Sequence, residues 1–259
     1  MSESAFLQFN SFSIQVEAYT CSVLVTDFLT EFSAFKCQSL MNPDLVLKTK
    51  SDGLYLYWHK EGQKTLEFYI DVLKVVKQLR SFPAPKQGAF NQALGKKTQH
   101  VIDATGGWGG DALLMCTQGY RVTVLERNPI MALMLKDAMR RLAVSSWALD
   151  NQVLVPDVIN IDSVDYFSNN KVPDDVGCIY LDPMFPPKKK KKAAVNKQMQ
   201  LLQWMVGQDL DASQLLESVL SAGGSRVVVK RPDYADALFC KPSNQFSSKL
   251  VHYDVYLKT

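Results

Sequence analysis

The sequence predicts an α/β fold: a mostly parallel sheet with helices on both faces and an antiparallel closing strand, preceded by a small α+β unit. Three observations predict it. From His100 onward short apolar strands alternate with helical runs, the pattern of a parallel sheet layered by helices. The first of these strands runs into a turn holding Gly106, Gly107, Gly109 and Gly110, and a helix opens behind it at Asp111. The strands that follow end in acids, Glu126, Asp162 and Asp182, at the sheet edge where open α/β folds bind ligands.

A chain of 259 residues is long enough for a large core in one or two domains. Its 47% hydrophobic and 21% charged residues are ordinary for a soluble globular protein. No apolar run approaches the roughly 18 residues of a membrane-spanning helix. Residues 1–4 lack the basic start and apolar core of a secretory signal. The five cysteines, Cys21, Cys37, Cys116, Cys178 and Cys240, are scattered without a CxxC pair. That usage fits reduced, structural thiols and a cytoplasmic location. His59, His100 and His252 lie far apart, so no metal site is expected. The net charge is only +3, but Lys188, Lys189, Lys190, Lys191 and Lys192 are consecutive. In most chains such a run is a solvated loop.

Residues 1–95 read as the small α+β domain. Ile14, Val16 and Ala18 alternate with polar residues, as on a half-buried strand. Apolar runs at 45–47 and 54–58 flank Asp52-Gly53, a hairpin signal. Residues 66–79 fit a strand and also a helix with Ile70, Leu73 and Val76 on one side. Phe82-Pro83-Ala84-Pro85 then reads as a linker. No spacing in this domain is catalytic; it is expected to pack, or to wall a large substrate.

Residues 96–259 form the second domain. Its first strand covers 100–103, and a helix from about Asp111 to Gln118 stops at Gly119. The second strand covers 121–126. Asn128 caps the next helix, and Pro129 takes its first position, where a missing N–H costs nothing. Ile130, Leu133, Met134 and Ala138 give that helix its buried face. A third strand lies within 153–161 and ends at Asp162-Ser163; a fourth covers 177–181 and ends at Asp182. Helical stretches follow over 193–206, with Val195, Met199 and Leu202 on one side, and over 211–220, closed by Gly223-Gly224. A fifth strand covers 226–230, and 246–257 supplies one or two closing strands.

Glycines allow the sharp turn at 106–110 and the close approach of a ligand. The helix start behind them offers free N–H groups and a positive dipole end. Gly107, Gly109 and Ala112 fit the G-x-G-x-x-A pattern of a dinucleotide site. Glu126 can accept from ribose hydroxyls of a nicotinamide cofactor or of S-adenosylmethionine (SAM). A tight turn without a ligand needs fewer than four glycines. This region alone leaves both cofactors open.

Asp182 begins a second motif, D-P-M-F-P-P, at the carboxyl end of the fourth strand. Its first four residues resemble the [DN]-P-P-[FYW] signature of methyltransferases that modify exocyclic amines of bases. The chemistry accounts for the residue types. Such an amine has its lone pair delocalised into the ring and is a poor nucleophile. A carboxylate and a backbone carbonyl, each accepting one N–H, draw the nitrogen toward tetrahedral geometry and free the lone pair. Prolines hold the carbonyl, and an aromatic ring stacks on the base. Asp182 is the expected carboxylate, Pro183 the carbonyl and Phe185 the stacking platform. Met184 departs from the usual second proline. The plain alternative is a proline-rich turn after a buried strand.

D-A-T-x-G-x-G-x-D at 103–111, L-E-R-N-P at 125–129, Y-L-D-P-M-F-P at 180–186, G-x-D-L-D-A at 207–212 and R-V-V-V-K-R-P-D-Y-A at 226–235 occur in one order. Together they resemble the bacterial ribosomal RNA small subunit methyltransferase J family, which makes N2-methylguanosine in 16S ribosomal RNA. The resemblance covers roughly residues 88–257 well and the N-terminal domain loosely. It implies a class I SAM-dependent methyltransferase fold, Rossmann-like, for 96–259. It also implies SAM contacts from Gly110, Asp111, Glu126, Arg127, Asp162, Ser163 and Asp182. The residues themselves support ribose hydroxyls on Glu126, the adenine amine on Asp162, and the methionine part facing Asp103 and the glycine loop. Arg127 reads equally as a surface ion-pair residue. Gly106, Trp108 and Gly110 stand where the family usually has alanine, leucine and arginine. A cofactor contact from that arginine is therefore absent or replaced.

The lysine run at 188–192 sits beside the expected target pocket, and phosphate contacts position a nucleic acid with salt-dependent affinity. Lys230 and Arg231 end the fifth strand at the same edge and are expected to contact RNA or to cap the loop. The expected function is SAM-dependent methylation of guanine N2 in 16S ribosomal RNA, presented free or in the 30S subunit, with the base unpaired or flipped out. An adenine-N6 or cytosine-N4 methyltransferase shares the D-P-x-F motif, and nucleoside mass spectrometry separates it. A nicotinamide-dependent oxidoreductase predicts NADH binding and leaves D-P-M-F and the lysines unexplained. A non-catalytic RNA-binding protein predicts no SAM binding.

Overall fold

The computed structural model describes residues 2–9, 13–19, 23–33, 36–37, 43–60, 62–184, 196–206, 212–238 and 240–258. Two sheets organise them. The first contains β1 (Ser2–Gln8), β2 (Ser13–Tyr19), β3 (Lys36–Cys37), β4 (Leu45–Lys50), β5 (Gly53–Trp58) and β6 (Leu66–Phe68), in the spatial order β3-β1-β2-β4-β5-β6. The Asp52-Gly53 signal does form a hairpin, with β4 and β5 antiparallel and Lys50 opposite Gly53. Helix α1 (Val23–Glu31) connects β2 to β3. The 66–79 stretch that fits two patterns holds both in succession. β6 ends at Phe68, and Asp71 caps α2 (Val72–Val76) by accepting from the Lys74 N–H at 3.0 Å.

The second sheet follows the predicted alternation. β7 (His100–Asp103), α4 (Gly110–Thr117), β8 (Arg121–Glu126), α5 (Pro129–Ala143), β9 (Asp157–Asn160), α7 (Ser163–Asn169), β10 (Val176–Leu181), α8 (Lys197–Val206), α9 (Ala212–Ser221), β11 (Arg226–Pro232), β12 (Asn244–Ser247) and β13 (Val251–Leu257) succeed one another. The strand order is β12-β13-β11-β10-β7-β8-β9. β9, β8, β7, β10 and β11 are parallel, and β13 runs antiparallel beside β11, as the closing stretch predicts. Strand order reverses between β7 and β10, which opens a crevice at their carboxyl ends. Two short helices carried no sequence signal: α3 (Gly88–Leu94) and α6 (Ser146–Asp150). The 82–85 stretch read as a linker is tied down: the Ala84 N–H donates to Thr117 O at 2.8 Å, and Phe82 meets Trp147 edge-on. α3 packs on β11, β12 and β13, with Phe90 against Tyr180 and Tyr253.

One core joins the two sheets through α5. Asn128 caps this helix by accepting from the N–H groups of Ile130 and Met131, as the sequence predicts. Its buried residues lie on all sides, from Met131 and Leu135 to Asp137 and Arg141, because it packs on β8 and β9 on one side and on β5, α1 and α2 on the other. Asp137 accepts from the Leu54 N–H at 3.1 Å and from Arg141 Nε at 2.8 Å. Arg141 also donates to Ile70 O at 2.8 Å and to the Tyr69 hydroxyl at 2.9 Å. Two buried charges are thereby paired and hydrogen-bonded, the condition under which such burial is tolerated. On the opposite face of the second sheet, α7 and α9 cover Ile102, Leu125, Ile179 and Val229 with Phe167, Leu215 and Val219. Among the described residues no helix is long and apolar enough to cross a membrane.

Candidate active site

The carboxyl ends of β7, β8 and β10 meet at one cleft of about 610 Å³, counted to its open mouth. Thr105, Gly107, Glu126, Arg127, Asp162, Ser163, Asp182, Pro183 and Met184 line it, with Leu202, Ala212 and Leu215 forming an apolar wall. The structure thus brings together seven of the residues singled out from sequence: Gly107, Glu126, Arg127, Asp162, Ser163, Asp182 and Pro183. Asp103 lies beneath them, only 2% exposed. Gly109, Gly110 and Asp111 begin α4 beside the cleft. Phe185 and the lysines at 188–192 fall outside the described residues.

The glycine turn takes its shape from contacts that a side chain would obstruct. A Cβ on Gly106 would lie 2.7 Å from Val124 Cγ1, so the turn closes directly onto β8. Gly109 caps α4 with φ +73°, a conformation that favours glycine. Gly110 faces space, with nothing within 4 Å of an added Cβ. Trp108 packs its ring on Phe68 of β6, with centroids 5.7 Å apart, and donates Nε1–H to Gln198 O of α8 at 3.1 Å.

Glu126 ties this turn to the next element. Its Oε2 accepts the Gly107 N–H at 2.7 Å and its Oε1 accepts the Asn128 N–H at 2.7 Å. The carboxylate is therefore fixed in place at the end of β8 while lining the cleft. Asp162 caps α7, accepting from the Val164 N–H at 2.8 Å. The Ser163 hydroxyl donates to Ala104 O at 2.7 Å and holds α7 against the end of β7.

Thr105 was not singled out from sequence, yet it joins the two motifs. Its N–H and hydroxyl donate to Asp103 Oδ1 at 3.1 and 3.3 Å, and its Oγ1 accepts the Asp182 N–H at 2.7 Å. The sequence signal is the spacing D-x-T at the end of a strand, where a threonine two residues on can bond back to the acid.

The electrostatics centre on a second cluster. Lys230 Nζ donates to Asp111 Oδ2 and to Asp182 Oδ2, both at 2.8 Å. The buried Tyr180 hydroxyl donates to the same Asp111 oxygen at 2.7 Å. Burial pushes Asp103 up to about 7, with the charges of Asp111 and Asp182 adding and the Thr105 hydrogen bonds opposing. Burial likewise lifts Asp182 to about 6, against the pull of Lys230 and with help from Asp111. Tyr180 is held well above the usual tyrosine range, first by burial and then by Asp182 and Asp111, so it remains a neutral donor. For Lys230 burial opposes the charge, but the two carboxylates outweigh it and raise the pKa.

Lys230 and Arg231 were expected to contact RNA or to cap the loop at the strand end. The structure gives both side chains protein partners. Lys230 turns into the cleft onto two carboxylates. Arg231 alternates to the other face, is buried, and donates to Asp236 O within the loop that follows. Among the described residues no group of three or more His, Cys, Asp and Glu side chains could hold a metal ion.

The cleft suits SAM in its chemistry. An acid fixed at the end of β8, a second at the start of α7, apolar walls and an excess of carboxylates match ribose hydroxyls, an adenine and a sulfonium cation. Comparison with known proteins agrees. The model of the family "Putative SAM-dependent methyltransferase" matches residues 31–258. The chain is similar to the ribosomal RNA small subunit methyltransferase J of Alteromonas mediterranea, at 44% identity over 164 residues. That alignment covers 63% of this chain and 62% of the relative, under two thirds of its length. It is similar to the protein of the same name from Shewanella sp. strain W3-18-1 at 36% identity over 227 residues, 84% of each. The crystal structure of a SAM-dependent methyltransferase from Neisseria gonorrhoeae shares the fold with a TM-score of 0.67 at 23% identity, over 94% of this chain and 95% of that one.

Proposed function

The chain belongs to the ribosomal RNA small subunit methyltransferase J family of SAM-dependent methyltransferases, and from that premise we propose that it methylates the exocyclic N2 of a guanine in 16S ribosomal RNA. The observation that carries this reading is Asp182-Pro183 at the end of β10, lining the same cleft as Glu126 and Asp162. We assign Glu126 to the ribose hydroxyls, Asp162 to the adenine amine, and Asp103, Gly107, Gly109, Gly110 and Asp111 to the methionine side. Ser163 and Arg127 complete the wall. SAM, when bound, supplies a methyl carbon on a sulfonium, and the breaking C–S pair stays on sulfur as the amine lone pair forms the new N–C bond.

The protein's own work is to prepare the amine. Asp182 accepts one N–H and the Pro183 carbonyl the other, while Phe185 stacks on the base. Thr105 keeps Asp182 in place through its backbone N–H. The surplus proton on the methylated nitrogen passes along its bond to Asp182. From that carboxyl, 37% exposed, it passes to water. Lysines 188–192 hold the RNA backbone, and residues 1–95 serve as a domain that walls the substrate. Such an enzyme works in the cytoplasm, on 16S RNA or the 30S subunit.

The test is incubation with methyl-labelled SAM and unmodified 30S subunits, in parallel with naked 16S RNA, followed by nucleoside mass spectrometry. N2-methylguanosine is the expected product. N6-methyladenosine or N4-methylcytidine would keep the amine chemistry and overturn the base assignment. No transfer to either RNA would overturn the reading.

A further inference from the structure

Lys230 is the most constrained charged group at the sheet edge. It pairs with Tyr253 across the β11–β13 ladder, on the face that also carries Tyr180. Its ammonium holds Asp182 by Oδ2 while Thr105 holds the same residue by its backbone N–H. Among the described residues no hydrogen bond engages the other carboxylate oxygen, Oδ1, and Asp182 lines the cleft. Asp111 anchors the ammonium from the far side and is itself anchored by Tyr180.

We propose that Lys230 is the positioning residue of the transfer step: it fixes Asp182 by one oxygen and keeps the other as an ionised acceptor for the target amine. This rests on the exocyclic-amine reading given above. The physical need is clear from the groups around Asp182. Asp103 approaches from β7, Asp111 from α4, Tyr180 from β10, Lys230 from β11 and Tyr253 from β13. Three of these six groups, Asp182 included, are carboxylates, and only one is a cation. Like charges confined together share protons. Without the ammonium, Asp182 takes up a proton near neutrality, and a protonated carboxyl donates where the amine needs an acceptor. A phosphate-binding lysine would instead keep its ammonium toward solvent.

The test uses the full-length protein. Aspartate carboxyl carbons are titrated by carbon-13 NMR in the cofactor-free state, and the pH profile of kcat and the RNA KM are measured separately. In Lys230→Met the Asp182 midpoint should rise by about one pH unit or more. Its kcat at pH 7 should fall about tenfold or more, recovering toward alkaline pH, with RNA KM within about twofold of wild type. Lys230→Arg should return the midpoint toward wild type even where turnover stays low. Asp111→Asn should move it the opposite way, because Asp111 raises Asp182, and this variant decides the matter if Lys230→Met does not fold. An unmoved midpoint overturns the proposal. So does a normal kcat with a raised RNA KM and a flatter salt dependence, which would make Lys230 a phosphate contact. A wild-type protein that transfers no label to RNA defeats the functional reading instead, whatever the midpoints show.

Discussion

Asp103 is a carboxyl group placed where a carboxylate is unfavourable. Its pKa of about 7 in the folded chain lies above the ordinary 3.8, so the folded state binds the proton more tightly than the unfolded one. The penalty is therefore absent below about 4, grows as pH rises through 4 to 7, and is constant above. From about 3.8 to about 7, it amounts to roughly 4 kcal/mol at most. Asp103→Asn keeps an acceptor for Thr105 and should be the more stable protein at pH 8, with the advantage vanishing near pH 4. Urea midpoints of both proteins across that range check this; parallel curves would show that Asp103 is ionised throughout. SAM brings a positive sulfonium toward the same cluster, so its binding near pH 7 should release protons.

Glu126 gives the second prediction at this scale. Both its oxygens organise backbone, so Glu126→Ala loses the cofactor acid and also frees the glycine turn. SAM affinity should fall by roughly 1–3 kcal/mol in a folded variant, the usual cost of leaving buried polar groups without a charged acceptor. Calorimetry that finds wild-type affinity would remove Glu126 from the site. The acids of the cleft were legible in sequence because each ends a strand. Thr105 and Lys230 were not, because a threonine or lysine at a strand end does not announce which way it faces. For Lys230 the direction follows from alternation along Val227, Val228 and Val229 and from register with β13, which only the assembled sheet supplies.

At the scale of elements, legibility tracked burial pattern. β7, β8, β10 and β11 are short apolar runs bounded by polar residues, and their expected limits agree with the structure to within a residue or two. α3 was illegible because its seven residues owe their helical state to packing on β11–β13 rather than to periodicity. Residues 66–79 satisfied two templates because a three-residue strand and a five-residue helix stand end to end. The element prediction concerns the lysines at 188–192, between β10 and α8. Replacing all five with glutamine should weaken RNA binding at every sequence tested. It should also flatten the salt dependence by up to about 0.7–0.9 log units per lost phosphate contact. SAM affinity and thermal midpoint should hardly change, since surface charges of this kind contribute little to stability. Filter binding at several salt concentrations decides it; an unchanged slope would leave the run as a solvated loop.

Across the whole molecule, α5 is the shared beam of two sheets. Asp137, with its side chain 4% exposed, bonds the β4–β5 hairpin of one sheet, while the helix that carries it lies on β8 and β9 of the other. Trp58 of β5 against Trp204 of α8, at 5.3 Å between centroids, adds a second tie. Asp137→Ala leaves Arg141 buried without its carboxylate and should cost about 3–5 kcal/mol. Because the core is common, tryptophan fluorescence and far-ultraviolet circular dichroism should report a single lowered transition. Two separated transitions, with only the first displaced, would mean that the sheets unfold independently.

That shared beam also fixes an order of events on the ribosome. The hydrogen bond from Leu54 to Asp137 joins residues 83 positions apart. At about 5–20 residues per second of synthesis, roughly 4–17 s separate the two partners. Throughout that interval the inner face of β4 and β5, with Leu45, Leu47, Leu54 and Leu56, has been made but its helix has not. The first sheet is born early and completed late, and its exposed leucines during that wait are a natural seat for a chaperone that meets nascent chains.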